Sequence, residues 1–226
     1  MRDEAVVVVT EDEGARRAGR FITFEGGEGA GKSTQLRRLA ARLTDAAFEV
    51  VLTREPGGTP TAEAIRRYIL EGHAEALGRE GETILFAAAR ADHVDRIIRP
   101  ALARGAFVLC DRFIDSTRAY QGADGVGTAL IDELEQLAIG ATRPDLTLIL
   151  DLPAEIGLAR ATARRGGGEA DRFERETIAR HETRRQIFRA IAEREPQRCV
   201  IVDATRGEDD VAADIWQAVS SRLLAD

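Results

Sequence analysis

Short apolar, β-prone runs alternate with longer stretches of helical period along most of the chain. Strands are expected at Phe21–Glu25, Glu49–Thr53, Phe107–Asp111, Leu146–Asp151 and Val200–Asp203. Helices fit between them, near 32–46, 61–70, 80–104, 128–139, 154–165, 172–195 and 208–224. In the first helix Leu36, Leu39, Ala40 and Leu43 recur at i, i+3, i+4 and i+7, the apolar stripe of a helix lying on a core. Strand–helix alternation predicts an α/β fold with a parallel sheet and helices on both faces. The last strands are continuous apolar runs, as in strands buried on both sides. Before Arg20 the pattern fails: charged, glycine-containing Glu11–Gly19 separates Val6–Val9 from the first core strand. Residues 1–19 are therefore expected to be a poorly packed extension, and 20–226 one domain.

The first strand runs into Gly26-Gly27-Glu28-Gly29-Ala30-Gly31-Lys32-Ser33, which matches G-x-x-x-x-G-K-[ST]. Strand, glycine turn and helix give this motif its required context. Its backbone N–H groups close around phosphate oxygens, and the helix N-terminus adds partial positive charge. Lys32 is the only lysine in the chain; every other basic side chain is arginine. A compact ammonium on a flexible stem is what a phosphate-gripping loop needs and a planar guanidinium does not supply. Ser33 is placed to ligate Mg²⁺.

Other strands also end in charged clusters, and ligands of open α/β sheets bind outside the carboxyl ends of strands. The second strand leads into Thr53-Arg54-Glu55-Pro56-Gly57-Gly58 and the third ends in Asp111-Arg112. Arg54 and Arg112 are expected to hold a second phosphate bidentately. Glu55-Pro56 is a candidate cis peptide. Asp111, closing an apolar run, is a candidate Mg²⁺ ligand, directly or through water. Asp151 ends a similar run but precedes an ordinary helix start, so helix capping is its expected role. Gly166-Gly167-Gly168 lies between two arginine-rich helices and reads as a lid or hinge.

Composition narrows the partners. The chain of 226 residues is 44% hydrophobic and 31% charged, with a net charge of −7. An acidic chain is a poor general nucleic-acid binder, so an anionic substrate needs a local arginine cluster. Cys110 and Cys199, each in an apolar run and without CxxC spacing, are expected to be buried thiols, with a reducing compartment and no structural metal. His73, His93 and His181 have no metal-ligand spacing and are expected on exposed or helix-surface positions. No apolar stretch approaches the roughly 18 residues of a membrane span. Met1–Thr10, carrying Asp3 and Glu4, does not read as a signal peptide.

Seven segments carry a resemblance. They are Phe24-Glu25-Gly26 with the P-loop; Thr53–Thr59; Leu85-Phe86-Ala87-Ala88-Ala89-Arg90; Asp111-Arg112-Phe113; Ser116–Gly122; Arg143-Pro144-Asp145-Leu146; and Asp171-Arg172-Phe173-Glu174. In unbroken order over about residues 20–224, they resemble the bacterial thymidylate kinases. The resemblance implies a P-loop, nucleoside-monophosphate-kinase-like three-layer fold. Its five-stranded parallel sheet is flanked by helices, with a small lid at about 164–174. It implies a cytoplasmic, homodimeric enzyme that phosphorylates dTMP with ATP and Mg²⁺ in dTTP synthesis, and Glu80–Arg104 is a candidate interface helix.

Residue by residue, the resemblance makes Gly26, Gly27, Glu28, Gly29, Ala30, Gly31, Lys32, Ser33 and Thr34 the ATP-binding segment, with Ser33 and Asp111 on the metal. Phe86 would stack on thymine and Arg90, at i+4 on the same face, would bond its O4. Gln121 would lie near the base edge, and Tyr120 would close off the sugar's 2′ side. Glu28 would meet the 3′-hydroxyl, Arg54 and Arg112 would clamp the dTMP phosphate, and Ser116 and Thr117 would complete the dTMP site. No arginine occupies the variable P-loop positions, so the chain resembles the branch whose catalytic arginine is in the lid. Arg160, Arg164 and Arg165 precede the glycine tract and Arg172 follows it.

Another nucleoside monophosphate or deoxynucleoside kinase on the same scaffold is the nearest rival reading. A regulatory GTPase is excluded because a guanine-reading NKxD segment needs a second lysine. A DNA-stimulated ATPase is disfavoured by the acidic balance and the lack of a basic–aromatic stripe.

Overall fold

The computed structural model describes residues 18–166, 173 and 175–224. Five parallel strands lie in the order β2-β3-β1-β4-β5. They are β1 (Arg20–Gly26), β2 (Val50–Arg54), β3 (Phe107–Asp111), β4 (Leu146–Asp151) and β5 (Cys199–Asp203). β1 pairs with β3 and with β4, so the loop after β1 leaves from the centre of the sheet. All five expected strands form, with ends shifted by at most a residue.

The helices are α1 (Lys32–Asp45), α2 (Pro60–Leu70), α3 (Gly78–His93), α4 (Arg99–Ala103), α5 (Ile114–Ala123), α6 (Thr128–Ile139), α7 (Ala154–Arg165), α8 (Ile178–Arg194) and α9 (Glu208–Val219). One face of the sheet packs on α1 and α9 through Ile22, Phe24, Leu36, Leu39, Leu43, Leu148 and Ile215. The opposite face packs, through Phe21 and Val108, on Ala87 of α3, Ala101 of α4, Val94 and Ile98 between them and Ile114 of α5, and on α8 through Ile149, Phe188 and Ile191. Gly19 already belongs to this packing, since a Cβ there would lie 2.4 Å from the Leu102 carbonyl oxygen. Residues 1–17 of the expected extension lie outside the described residues.

The single helix expected over 80–104 is interrupted. A π turn, Val94–Ile98, separates α3 from α4. Pro100 lacks the N–H that would continue the ladder, and its ring crowds the carbonyl four residues back; the widened turn absorbs both defects. α8 begins at Ile178 rather than near 172, capped by Thr177, whose hydroxyl accepts from the Arg180 N–H. The last expected helix ends at Val219 and continues as a second π turn, Ser220–Leu224.

α5 was not among the expected helices. Its buried face is Asp115, Thr117, Tyr120 and Gln121 alongside Ile114 and Ala119, so no apolar period marks it. It is held instead by charge: the fully buried Asp115 accepts from Arg198 at 2.7 and 3.0 Å and from Arg118 at 3.2 Å. Paired in this way, a buried carboxylate is tolerated, and it ties α5 to the start of β5.

Two histidines depart from expectation. His73 is exposed, but His93 and His181 are buried. His93 bonds the Thr53 hydroxyl at 2.6 Å and the Glu55 carboxylate at 2.9 Å, joining α3 to the end of β2. Asp151 also differs. Pro153 stands at the N-cap of α7, and Asp151 instead pairs with Arg185 and Arg189 of α8. Cys110 and Cys199 are buried free thiols, and burial pushes Cys199 up to about 12.

Candidate active site

Three strand ends and α5 enclose a cleft of about 480 Å³. At its floor the P-loop turns from β1 into α1. Lys32 is not the solvated loop side chain its position in a glycine turn suggests. It is 7% exposed, and its Nζ donates to the carbonyls of Gly26 at 3.1 Å and Gly27 at 2.8 Å. Burial, then the neighbouring Arg112, lowers its pKa against the pull of Glu28 and Asp111. Ser33 donates to the Asp111 carboxylate at 2.5 Å, so hydroxyl and carboxylate oxygens converge where the helix begins.

The P-loop is seated on the helix that follows β4. A Cβ on Gly29, which has φ +67, would lie 2.0 Å from the Gly157 carbonyl oxygen; a Cβ on Gly157 would lie 2.3 Å from that of Glu28. Both obstacles are backbone, which cannot swing aside. Only glycine at both positions allows α7 to approach the loop this closely. Gly157→Ala is expected to destabilise the fold by about 1–3 kcal/mol and to lower kcat by displacing α7 from the P-loop. A thermal midpoint equal to that of the parent protein would refute this coupling.

Arg112 holds the centre of the cleft. Its φ of +71 is rare for a residue with a side chain, and its N–H donates to the Phe24 carbonyl at 2.9 Å. Its guanidinium donates to Glu28 at 2.6 Å, to the Gly26 carbonyl at 3.2 Å and to Ser116 at 3.2 Å. Burial alone would raise the Glu28 carboxyl, but Arg112 and Lys32 overcome it and hold it at about 2. Tyr120 donates to the same Glu28 oxygen at 2.8 Å. Beneath them Glu25 accepts from the N–H groups of Phe113 and Ser116 and from the Ser116 hydroxyl, which fixes the turn after Arg112. Burial, reinforced by Asp115, raises Glu25 to about 7.

The far wall carries Phe86, Arg90, Thr117, Tyr120 and Gln121. Arg90 is buried, donating to Glu55 at 2.7 Å, to the Phe113 carbonyl at 3.1 Å and to Thr117 at 3.0 Å. Gln121 is 2% exposed, and among the described residues its Nε2 has no hydrogen-bond partner. Arg54 lies at the mouth, its Nη2 3.3 and 3.4 Å from the Glu63 carboxylate.

The cleft therefore gathers Glu28 through Thr34, Arg54, Phe86, Arg90, Asp111, Arg112, Ser116, Thr117, Tyr120 and Gln121. Gly26 and Gly27 are not among its lining residues; their carbonyls accept from Lys32, and that of Gly26 also from Arg112. Of the lid arginines, Arg164 lines it. Arg160 does not; its Nη1 donates to the Ala204 carbonyl at 2.9 Å, beyond the end of β5. The side chain of Arg165 and the whole of Arg172 lie outside the described residues.

The sequence reading gave no role to Arg37, Arg66, Glu55, Leu70 or Phe173, which also line the cleft. Arg37 was legible, lying at i+4 from Ser33 on α1. Arg66, whose Nη1 donates to the Pro56 carbonyl at 2.9 Å, depends on the fold of α2 over the turn.

A parallel sheet in the order β2-β3-β1-β4-β5, with a phosphate-binding loop opening into a two-sided cleft, defines a P-loop kinase of the nucleoside monophosphate kinase type. A family model described as thymidylate kinase matches residues 24–215. A thymidylate kinase of Bradyrhizobium sp. strain BTAi1 is 57% identical over 207 residues, 91% of this chain and 92% of that protein. One of Rhodopseudomonas palustris strain TIE-1 is 59% identical over 208 residues, 91% and 90% respectively. The crystal structure of thymidylate kinase from Ehrlichia chaffeensis aligns with a TM-score of 0.73 at 33% identity, over 89% of this chain and 99% of that one. The chain belongs to the thymidylate kinase family.

Proposed function

We propose that the protein transfers the γ-phosphoryl group of ATP to dTMP, giving dTDP and ADP. One observation carries the reading: a single cleft joins the Lys32–Ser33–Asp111 cluster to a wall holding Phe86, Tyr120 and Gln121. Phe86 supplies an apolar face for a pyrimidine. The unpartnered Gln121 donor calls for an acceptor on the base edge, because a buried amide left unpaired is costly. Tyr120, Glu28 and Arg112 stand between base wall and P-loop, where a sugar and its phosphate belong. Arg112, with Arg54 at the mouth, holds the acceptor phosphate.

Phosphoryl transfer asks the protein for alignment and charge neutralisation, with little covalent work. Lys32 and the P-loop amides hold the donor phosphates. The acceptor is already an anion, so no general base is required. Ser33 and Asp111 would hold Mg²⁺. Two hard oxygen donors suit an ion that keeps several waters and takes its remaining ligands from phosphate, and bound there it neutralises phosphate charge. Among the described lid arginines, Arg164, on α7 and lining the cleft, is the one placed to meet the transferring group. A lid at about 164–174 and an extension ahead of the kinase domain belong to the same reading, although Gly19 already packs on Leu102. The free thiols agree with a cytoplasmic site of action. Among the described residues no helix is long and apolar enough to cross a membrane. Homodimerisation through the α3–α4 face belongs to the same reading.

A panel of nucleoside monophosphates in a coupled ADP-release assay tests the proposal. The expected order is dTMP above dUMP, with UMP, dCMP and dGMP well below both. Loss of the thymine methyl costs about 1–3 kcal/mol in an apolar pocket, whereas an exocyclic amine at the 4-position would face the donors of Arg90 and Gln121. Equal kcat/KM for dCMP and dTMP would refute the base assignment.

A further inference from the structure

Arg184 of α8 is among the largest fully buried side chains of the protein. Among the described residues its Nε and Nη1 nevertheless have no hydrogen-bond partner. Its Nη2 meets Glu176 as an ion pair and lies 3.9 Å from Asp124. Burying a guanidinium with donors unfilled costs stability, so packing alone is a poor reason for arginine here. What Arg184 does have is an aromatic face. Its guanidinium carbon lies 4.2 Å from the centroid of the Tyr120 ring and 5.8 Å from that of Phe173.

Tyr120 is thus fixed at both ends. Its hydroxyl donates to Glu28, and its ring lies under two cations, Arg184 and, at 5.0 Å, Arg112. Phe173 meets it edge-on, with centroids 5.6 Å apart. Arg112 and Phe173 line the cleft, where a bound nucleotide can move them. Arg184 stands behind Tyr120, on a helix that starts just after the expected lid.

We propose that Arg184 is a specificity-positioning residue that holds the Tyr120 ring as a stiff wall against a 2′-hydroxyl. The proposal rests on the reading of Tyr120 as the wall of the sugar site. A ribonucleotide must push the ring aside; a deoxyribonucleotide need not. Moving the ring would leave a buried guanidinium without the π-face that compensates its lost hydration. Arg184 therefore weighs against the ribo substrate far more than it assists the deoxy one. Through Glu176 the same side chain ties this wall to the segment that leads into α8.

The test compares kcat/KM for dTMP with that for its ribonucleotide counterpart in the parent protein, Arg184→Leu, Arg184→Lys and Tyr120→Ala. Arg184→Leu is expected to lower the deoxy-to-ribo ratio by about tenfold, as loss of a desolvated cation–π contact implies. Arg184→Lys should keep most of the ratio, because an ammonium also stacks on the ring. A parental ratio in Arg184→Leu, or equal losses on both substrates, would overturn the proposal. Should the leucine variant not fold, Arg184→Gln against Arg184→Lys carries the comparison, and equal ratios in those two would overturn it. Tyr120→Ala with a parental ratio would instead overturn the sugar-wall reading itself.

Discussion

Lys32→Ala is expected to lower kcat by at least about 100-fold, the loss seen when one preorganised charge-stabilising donor is removed, with little change in the thermal midpoint. The two halves of this expectation have separate causes. The loss of rate follows from the position of the ammonium, at the start of α1 beside Ser33 and Asp111. The small effect on stability follows from the direction of its pKa. Burial and Arg112 lower it, so the fold disfavours the charge that the substitution removes. Lys32→Arg should be nearly as inactive, because a planar fork cannot place one point charge between the Gly26 and Gly27 carbonyls. Steady-state kinetics and thermal unfolding of both variants decide the matter. Turnover within tenfold of the parent in either would exclude Lys32 from the transition state.

Arg112→Ala should be as damaging for a different reason. Arg112 bridges Glu28, the Gly26 carbonyl and Ser116, and it is the leading favourable influence that keeps Glu28 at about 2. Without it the acceptor phosphate loses its cation and meets a carboxylate with less to balance it. The dTMP KM should rise strongly, and kcat/KM should fall by about 1,000-fold, since an unpaired buried charge costs about 3–5 kcal/mol. The sign of the pH effect follows. Glu28 ionised contributes stability that is present above its unfolded pKa and lost as pH falls toward 2; in Arg112→Ala that loss should begin at higher pH. The backbone supplies a further check. With φ at +71, Arg112→Gly should be more stable than Arg112→Ala by about 1 kcal/mol. A dTMP KM within fivefold of the parent would remove Arg112 from the phosphate site.

The five strands, the P-loop and most helices were legible because each is written in apolar period and glycine placement. What the sequence concealed is polar and non-local. α5 carries much of the far wall, yet its inward face is Asp115, Thr117, Tyr120 and Gln121, and the first three meet Arg198, Arg90 and Arg184 from elsewhere in the chain. His93 looked like a surface residue because its partners, Thr53 and Glu55, lie 40 and 38 positions away. Arg160 and Arg164 share a helix and a composition, and only the path of α7 past the end of β5 turns one outward and the other into the cleft. Asp151 reads as a cap until α8 is placed beside it with Arg185 and Arg189. Motifs announced which residues matter; pairing across the fold decided which way they point.

A protein whose single lysine is 7% exposed has, apart from its α-amino group, one amine to offer acylating reagents. Burial and the neighbouring Arg112 lower the pKa of that amine, which shifts it in the direction of the nucleophilic neutral form, while its enclosure excludes bulky electrophiles. A small amine-directed label should therefore mark one side chain besides the α-amino group, and its rate of incorporation at Lys32 would report how often the phosphate-binding loop opens.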